Sequence, residues 1–384
     1  MNPEEIRGKL KAEYDRKSPL KEFEFVLPIK VENDCDYENT LNDVLDKYLI
    51  CIEGKVDITV YKKTENNVSL IKEAIKYYYN ANISKAKEAI NNVLESYMSN
   101  NYIVSSLDDS PALRGITRLL SNPIIDKLAN APLSFFKARS GKKIYSREEF
   151  LHIPFNKRGI VATQRYSIAG VPCMYFGASS YVCWLELGKP DNEEFTISSY
   201  QIPKDIKILN LAITQGLVNG FSQQNHDSLI EFFPLVIATS FSVSEDKRQF
   251  KSEYIISQLI MQSLASFGID GVAYVSKKIE HNNPSIQTGN ENFPSCVNLA
   301  IPMKNDNKED YSTFAIDIRL TEPINFKEYL DSTPYPCGNK ISYANLFEYS
   351  TVTHNGKEVN YTSLPYSRLD NYLVNLDHRN YNNK

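Results

Sequence analysis

The strongest constraint on this chain is a change in the period of its apolar residues about a third of the way along. Up to residue 120 or so, hydrophobic side chains recur at helical spacing. Leu41, Val44, Leu45, Tyr48 and Leu49 mark one predicted helix over Tyr37–Leu49. Ile71 and Ile75 mark a second over Val68–Tyr79. Ala86, Ile90, Leu94 and Tyr97 mark a third over Ile83–Met98, with Asn82 and Ser84 as capping groups. The tract NNYIVSSLDDSPALRG then breaks the pattern and reads as a connection. From about Leu133 onward, short β-rich runs alternate with Gly and Pro. CMYFG, VAYVS and NLAIP read as strands, and helices are expected near Ser179 and over Ser252–Ser266. After Lys304 the run FAIDIRL reads as a strand, Asn355-Gly356 as a hairpin turn, and DHRNYNNK as a frayed end. The expected architecture is α+β: a helical N-terminal domain (1–125), a strand–helix catalytic domain (130–310) and a β-containing extension (311–384).

Composition narrows the function classes. A net charge of −4 argues against a surface built for the nucleic-acid backbone, where a basic stripe is needed, so nucleic acid is disfavoured as a partner. Cys35, Cys51, Cys173, Cys183, Cys296 and Cys337 are scattered with no C-x-x-C pair. The start MNPEEIRGKLKAEYDRK has no apolar h-region, and the most apolar stretch, Phe232–Phe241, is shorter than the ~20 residues that span a bilayer. Reduced thiols, a cytoplasmic location and no membrane contact are therefore expected. The phosphate-binding loops G-x-x-x-x-G-K-[ST] and G-x-G-x-x-G are absent, as are H-E-x-x-H and G-x-S-x-G. His152, His226, His281, His354 and His378 are too dispersed for a metal centre, and His152 in HIPF reads as a structural hydrogen-bonding residue.

Chemistry-bearing residues concentrate between Phe135 and Pro190, and each has a plain alternative. Glu186, late on the helix that Ser179 or Ser180 caps, could be a solvated surface carboxylate. Arg165 could lock the fold through an ion pair, Tyr175 could be core, and Ser276 could merely end its strand. The combination carries more. Arg165 precedes a Gly170-Val171-Pro172 turn, Tyr175 follows in a strand, and Glu186 follows on a helix. Ser276 then ends GIDGVAYVS, and Asn298 lies in VNLAIP. In order and spacing this set resembles the RES-domain family, with Arg139 in FFKARSG matching an earlier family arginine. The strings HIPF, QRYSIAGVPCMYFG and CWLELG resemble a subgroup of longer RES proteins, and the likeness covers about 133–303.

That resemblance implies a fold like the ADP-ribosyltransferases and destruction of NAD as a toxic activity. NAD would be the substrate, with no cofactor and no metal. Arg165, Glu186 and Ser276 would be catalytic, and Arg139, Tyr166, Tyr175 and Asn298 would bind NAD. The chemistry suits these residue types. Nicotinamide leaves ribose through a cation-like transition state that a carboxylate stabilises. Arginine forks match pyrophosphate oxygens, and a tyrosine face stacks on the cationic nicotinamide ring. An antitoxin or regulatory protein would be the partner. The N-terminal helices resemble a HEPN-like module, without the Arg/His pair of its ribonucleases. Transfer of ADP-ribose to a macromolecule, or a catalytically silent nucleotide-binding module, are the alternatives.

Overall fold

The helical period at the start of the chain becomes three helices in the computed structural model, which describes residues 27–31, 37–114, 133–215, 218, 226–242, 248–279, 295–307, 309–332 and 351–382. Helix α1 (Tyr37–Ile52) buries Leu41, Leu45, Tyr48 and Ile52 along one face. Helix α2 (Ile58–Tyr79) begins at Ile58 rather than Val68, because Asp57 caps it by accepting the Thr59 amide at 2.8 Å. Its early turns carry Lys62, Lys63, Glu65 and Asn66, which hide the periodicity. Helix α3 (Ile83–Glu95) starts where Asn82 accepts the Lys85 amide and stops short of Met98.

The strands, in chain order, are β1 (Ile29–Lys30), β2 (Val104–Ser106), β3 (Phe135–Ser140), β4 (Cys173–Gly177), β5 (Phe195–Gln201), β6 (Lys207–Leu211), β7 (Phe241–Ser242), β8 (Gly271–Val275), β9 (Val297–Pro302), β10 (Arg319–Leu320) and β11 (Ile324–Asn325). Among the described residues, nine of them form one mixed sheet in the order β10-β5-β3-β4-β9-β8-β6-β2, with β11 also on β5. Every pairing in it is antiparallel except β6 with β8. β1 and β7 make a separate parallel pair. The later helices of six residues or more are α4 (Ser180–Glu186), α5 (His226–Ala238), α6 (Ile255–Ser263), α7 (Phe326–Asp331) and α8 (Pro365–Val374). The fold is α+β with a helical N-terminal region.

Alternation along the strands divides the core. Leu209, Val272 and Ala300 point toward the helices and share a cluster with Leu41, Ile71, Ile90, Phe233 and Leu259. Helices α1–α3 therefore meet α5, α6 and the sheet in common apolar packing. Met174, Phe176, Ala273, Leu299 and Ile301 line the other face. A third cluster joins Tyr181, Val182 and Leu185 of α4 to Phe195, Ile197, Leu369 and Leu373.

Three expectations about elements are corrected. The tract read as a connection contains β2, whose three residues are too few to show a period. Most of FAIDIRL is not strand: Thr313–Asp317 is helical because the Ser312 hydroxyl caps it, and only Arg319–Leu320 is extended. The end is not frayed up to residue 382, since Arg379 exchanges backbone hydrogen bonds with Leu320 and His378 is buried. The expected hairpin forms from β12 (Thr351–His354) and β13 (Lys357–Asn360), with positive φ at Asn355 and Gly356. Cys51, Cys173, Cys183 and Cys296 form no disulfide among the described residues, whereas Cys35, Cys337 and His281 lie outside them. No described helix is long and apolar enough to cross a membrane.

Candidate active site

Strand register assembles the centre of the site. Asn298 on β9 lies opposite Gly177 of β4 on one side and Tyr274 of β8 on the other. Tyr175 and Val272 flank Ala300 in the next row. With side chains alternating along each strand, Tyr175, Gly177, Tyr274, Ser276 and Asn298 belong to one face. Gly177 leaves that face bare above Asn298, and α4 occupies the space. A Cβ at Gly177 would lie 2.4 Å from Val182 Cγ1 and 2.8 Å from Cys183 Sγ. Ser179 starts α4, its hydroxyl accepting the Val182 amide at 3.2 Å and donating to the Ser295 carbonyl.

This close seating delivers Glu186 to the strand ends. Its Oε1 accepts the Ser276 hydroxyl at 2.7 Å and the Asn298 side-chain amide at 2.5 Å. The Lys278 amide donates to Ser276 Oγ at 3.1 Å, which leaves that hydroxyl's proton for Glu186. Both bonds fall on Oε1, and Oε2 has no donor among the described residues. The far end of α4 is held from the C-terminal extension. Buried Asp370 accepts the Ser180 amide at 2.9 Å and the Tyr361 hydroxyl, and Ser180 Oγ donates to the Tyr366 carbonyl. Burial pushes the Asp370 carboxyl up to about 7, against the lowering effect of its bonds to Ser180 and Tyr361.

Glu186 opens onto a cleft of about 770 Å³, within the range of roughly 300–1,000 Å³ common for small-molecule sites. Its described lining holds six cations, Lys137, Arg139, Arg165, Lys251, Lys277 and Lys278, and Glu186 as the one carboxylate. Tyr175, Tyr254 and Tyr274 contribute aromatic surface. Lys137 donates to the carbonyls of Phe150 and Leu151 at 2.9 and 2.7 Å. Burial lowers its pKa to about 7, assisted by the Arg139 charge. Burial likewise lowers Lys277 to about 7, with Arg165 adding to the shift and Glu186 opposing it.

The seven expected site residues occupy different positions around this cleft. Glu186, Ser276 and Asn298 are hydrogen-bonded together, and Tyr175 lines the wall, its hydroxyl donating to the Tyr166 carbonyl. Arg139 is exposed at the margin, donates to the Glu149 carbonyl and lies 5.2 Å from the Tyr145 ring centre. Arg165 borders the cleft, but its Nη atoms donate to the carbonyls of Thr239, Phe241 and Glu253. Tyr166 does not reach the cleft; it is fully buried and tilted against Tyr274 at 4.3 Å. His152 is structural: Nε2 accepts the Ser312 amide and Nδ1 donates to the Ile153 carbonyl, the neutral tautomer that its burial favours. Sequence reasoning missed Lys137, Lys251, Tyr254, Tyr274, Lys277 and Lys278. Tyr274 carried a readable signal, since it precedes Ser276 by two and so shares its face.

No family model matches the chain, and no solved structure matches it either. It is similar to a Bacillus subtilis (strain 168) protein named "Putative toxin YopC", with 31% identity over 260 residues. The aligned part is 63% of this chain and 56% of that protein, so the chain spans little more than half of the relative's length.

Proposed function

We propose that this chain is an NAD-consuming enzyme that cleaves the nicotinamide–ribose bond, with water or phosphate as acceptor, and acts as a toxin or defence effector. The observation that carries this reading is the charge pattern of the cleft: one oriented carboxylate among six cations. NAD carries anionic charge on its pyrophosphate and positive charge at its nicotinamide end, on the ring at first and on the ribose carbon as nicotinamide leaves. A cleft suited to it needs cations over most of its length and an anion at one point.

Glu186 would face the reacting carbon and a ribose hydroxyl, with Ser276 and Asn298 fixing its direction. Tyr175 and Tyr274 would offer ring surface to nicotinamide, and Arg139 its fork to phosphate oxygens. As the C–N bond breaks, nicotinamide keeps the electron pair. Water then bonds to the ribose carbon and releases a proton, giving nicotinamide, ADP-ribose and H⁺. The RES resemblance supports an ADP-ribosyltransferase-like scaffold for this chemistry. The toxin name of the Bacillus relative supports the physiological role and an inhibitory protein partner.

The test is chromatography after incubating the purified chain with NAD, with and without phosphate. Free nicotinamide with ADP-ribose is the expected product, and ADP-ribose-1″-phosphate would identify phosphate as acceptor. Glu186→Gln preserves shape and loses charge, so turnover should fall about 10²–10³-fold at unchanged unfolding midpoint. Intact NAD under every condition, or full activity in Glu186→Gln, refutes the reading.

A further inference from the structure

Arg165 and Lys277 both border the cleft, and their bonds divide the work between them. The Arg165 guanidinium is committed to backbone. Nη1 donates to the carbonyls of Thr239 (3.4 Å) and Glu253 (3.1 Å), Nη2 to that of Phe241, and the group lies 4.7 Å from the Tyr254 ring centre. Thr239 and Phe241 flank Ser240. The Ser240 amide donates to the Ile237 carbonyl at 2.9 Å, and its own carbonyl accepts the Ile29 amide at 2.8 Å. Ser240 is thus fixed through its backbone and through both neighbours. Its buried hydroxyl accepts Lys277 Nζ at 2.8 Å.

An ammonium has three N–H donors, and this bond uses one. Lys277 makes no ion pair with Glu186 and no second side-chain bond among the described residues. Two donors therefore remain on a half-buried cation that sits one residue after Ser276, the anchor of Glu186. A partly desolvated charge held by a neutral hydroxyl gains most from an anionic ligand.

We propose that Lys277 is the seat of the ligand's phosphate groups, and that Arg165 acts at one remove as a positioning residue, fixing Ser240 so that Ser240 fixes Lys277. This rests on the cleft being a dinucleotide site and adds to Arg139, at the exposed margin, an inner group that takes the anion. It also separates Arg165 from direct phosphate contact. The lowered pKa of Lys277 agrees with a cation whose counter-charge arrives with the ligand.

Calorimetric titration of the full chain with ADP-ribose and with inorganic pyrophosphate tests it. The wild type should bind both. Lys277→Met should weaken both by roughly ten- to a hundredfold, the effect of losing a charge-assisted hydrogen bond, while Lys277→Arg restores most of the affinity. Ser240→Ala should weaken ADP-ribose binding severalfold in the wild type and add nothing in the Lys277→Met background, which a merely structural role would not produce. Lys277→Gln serves if the methionine variant fails to fold. Wild-type affinity in Lys277→Met or Lys277→Gln, or no binding of either probe by the wild type, overturns the inference. The NAD assay separates the two readings. Binding of ADP-ribose through Lys277 with NAD left intact refutes the reaction alone, whereas NAD cleavage at unchanged KM in Lys277→Met refutes the phosphate seat alone.

Discussion

Gly177→Ala should disable the site while leaving the fold standing, and the structure sets the size of the effect. The added Cβ would lie 2.4 Å from Val182 Cγ1, 2.8 Å from Cys183 Sγ and 2.9 Å from the Ser179 carbonyl oxygen. Non-bonded carbons rest at about 3.5–4.0 Å, so α4 would have to retreat by roughly 1 Å. Overpacking of this kind costs about 1–3 kcal/mol. The helix cannot simply slide away, because Asp370 and Tyr366 hold Ser180 from the far side. Val182 and Glu186 are four apart and share a helix face, so the displacement reaches the carboxylate directly. Its bonds to Ser276 and Asn298, at 2.7 and 2.5 Å, would then both stretch. A misplacement of ~1 Å costs about 10²-fold in rate. Nicotinamide release gives kcat and denaturant unfolding gives stability. Gly159→Ala is the control, since nothing lies within 4 Å of its added Cβ. Wild-type turnover in Gly177→Ala would show that α4 does not govern Glu186.

Three further outcomes follow from buried polar groups. Asp370 has a folded pKa near 7, above its ordinary 3.8, so the native state holds a proton that the unfolded chain releases between these values; stability should fall as pH rises through that window. Asp370→Asn should flatten the difference in unfolding midpoint between pH 4.5 and 7.5, and an unchanged slope would exclude Asp370 as its source. Asn67 donates to Tyr97 Oη at 2.8 Å and to the Glu231 carbonyl at 2.9 Å inside the helical core. Asn67→Leu should lower stability by about 1–3 kcal/mol in urea, and no loss would mean that these bonds are replaced without cost. ADP-ribose affinity should decline from pH 6 to 8.5 as Lys277 loses its proton, with Arg165 and Glu186 the charges acting on it and Lys251 and Lys278 sharing the cleft. The same titration with Lys277→Met should be flatter, and an identical pH profile would assign the effect elsewhere.

The strands that build the site could be read from the sequence because each carries its own signal: β-branched or aromatic residues bounded by Gly or Pro. Their pairing could not. Nothing local in CMYFG or VNLAIP states that Gly177 will face Asn298, or that Ser276 will touch a carboxylate ninety residues earlier in the chain. Only the order of the RES-like motifs suggested that Glu186, Ser276 and Asn298 belong together. Tyr166 shows the converse: its place beside Arg165 in the motif hides that its ring turns into the core. Lys137, Lys251 and Lys277 were invisible because each comes from a different segment and a lysine alone is ordinarily a solvated residue. FAIDIRL misled because its apolar residues fit an alternating pattern, while the Ser312 cap that decides for helix lies just outside the run.

The way the cleft's charges are held is itself an argument about what fills it. On the outer surface, charges answer each other in ion pairs such as Lys143 with Glu149, Lys304 with Asp270 and Lys327 with Glu193. Inside the cleft, five of the charged side chains rest on neutral partners. Glu186 rests on a hydroxyl and an amide, Lys137 and Arg165 on backbone carbonyls, Arg139 on the Glu149 carbonyl, and Lys277 on a serine hydroxyl. A counter-ion would fix each side chain just as well, but it would also cancel the charge. Dipoles fix the direction without cancelling the charge, although burial brings Lys137 and Lys277 to titrate at about 7. In a chain of net charge −4, a concave surface lined by six basic side chains and one carboxylate concentrates positive field where a ligand would enter. Desolvating such a set is costly unless the ligand supplies counter-charge, which favours the anionic occupant proposed above. The proposed NAD would meet this pattern, with its pyrophosphate among the basic side chains and its nicotinamide–ribose end at Glu186.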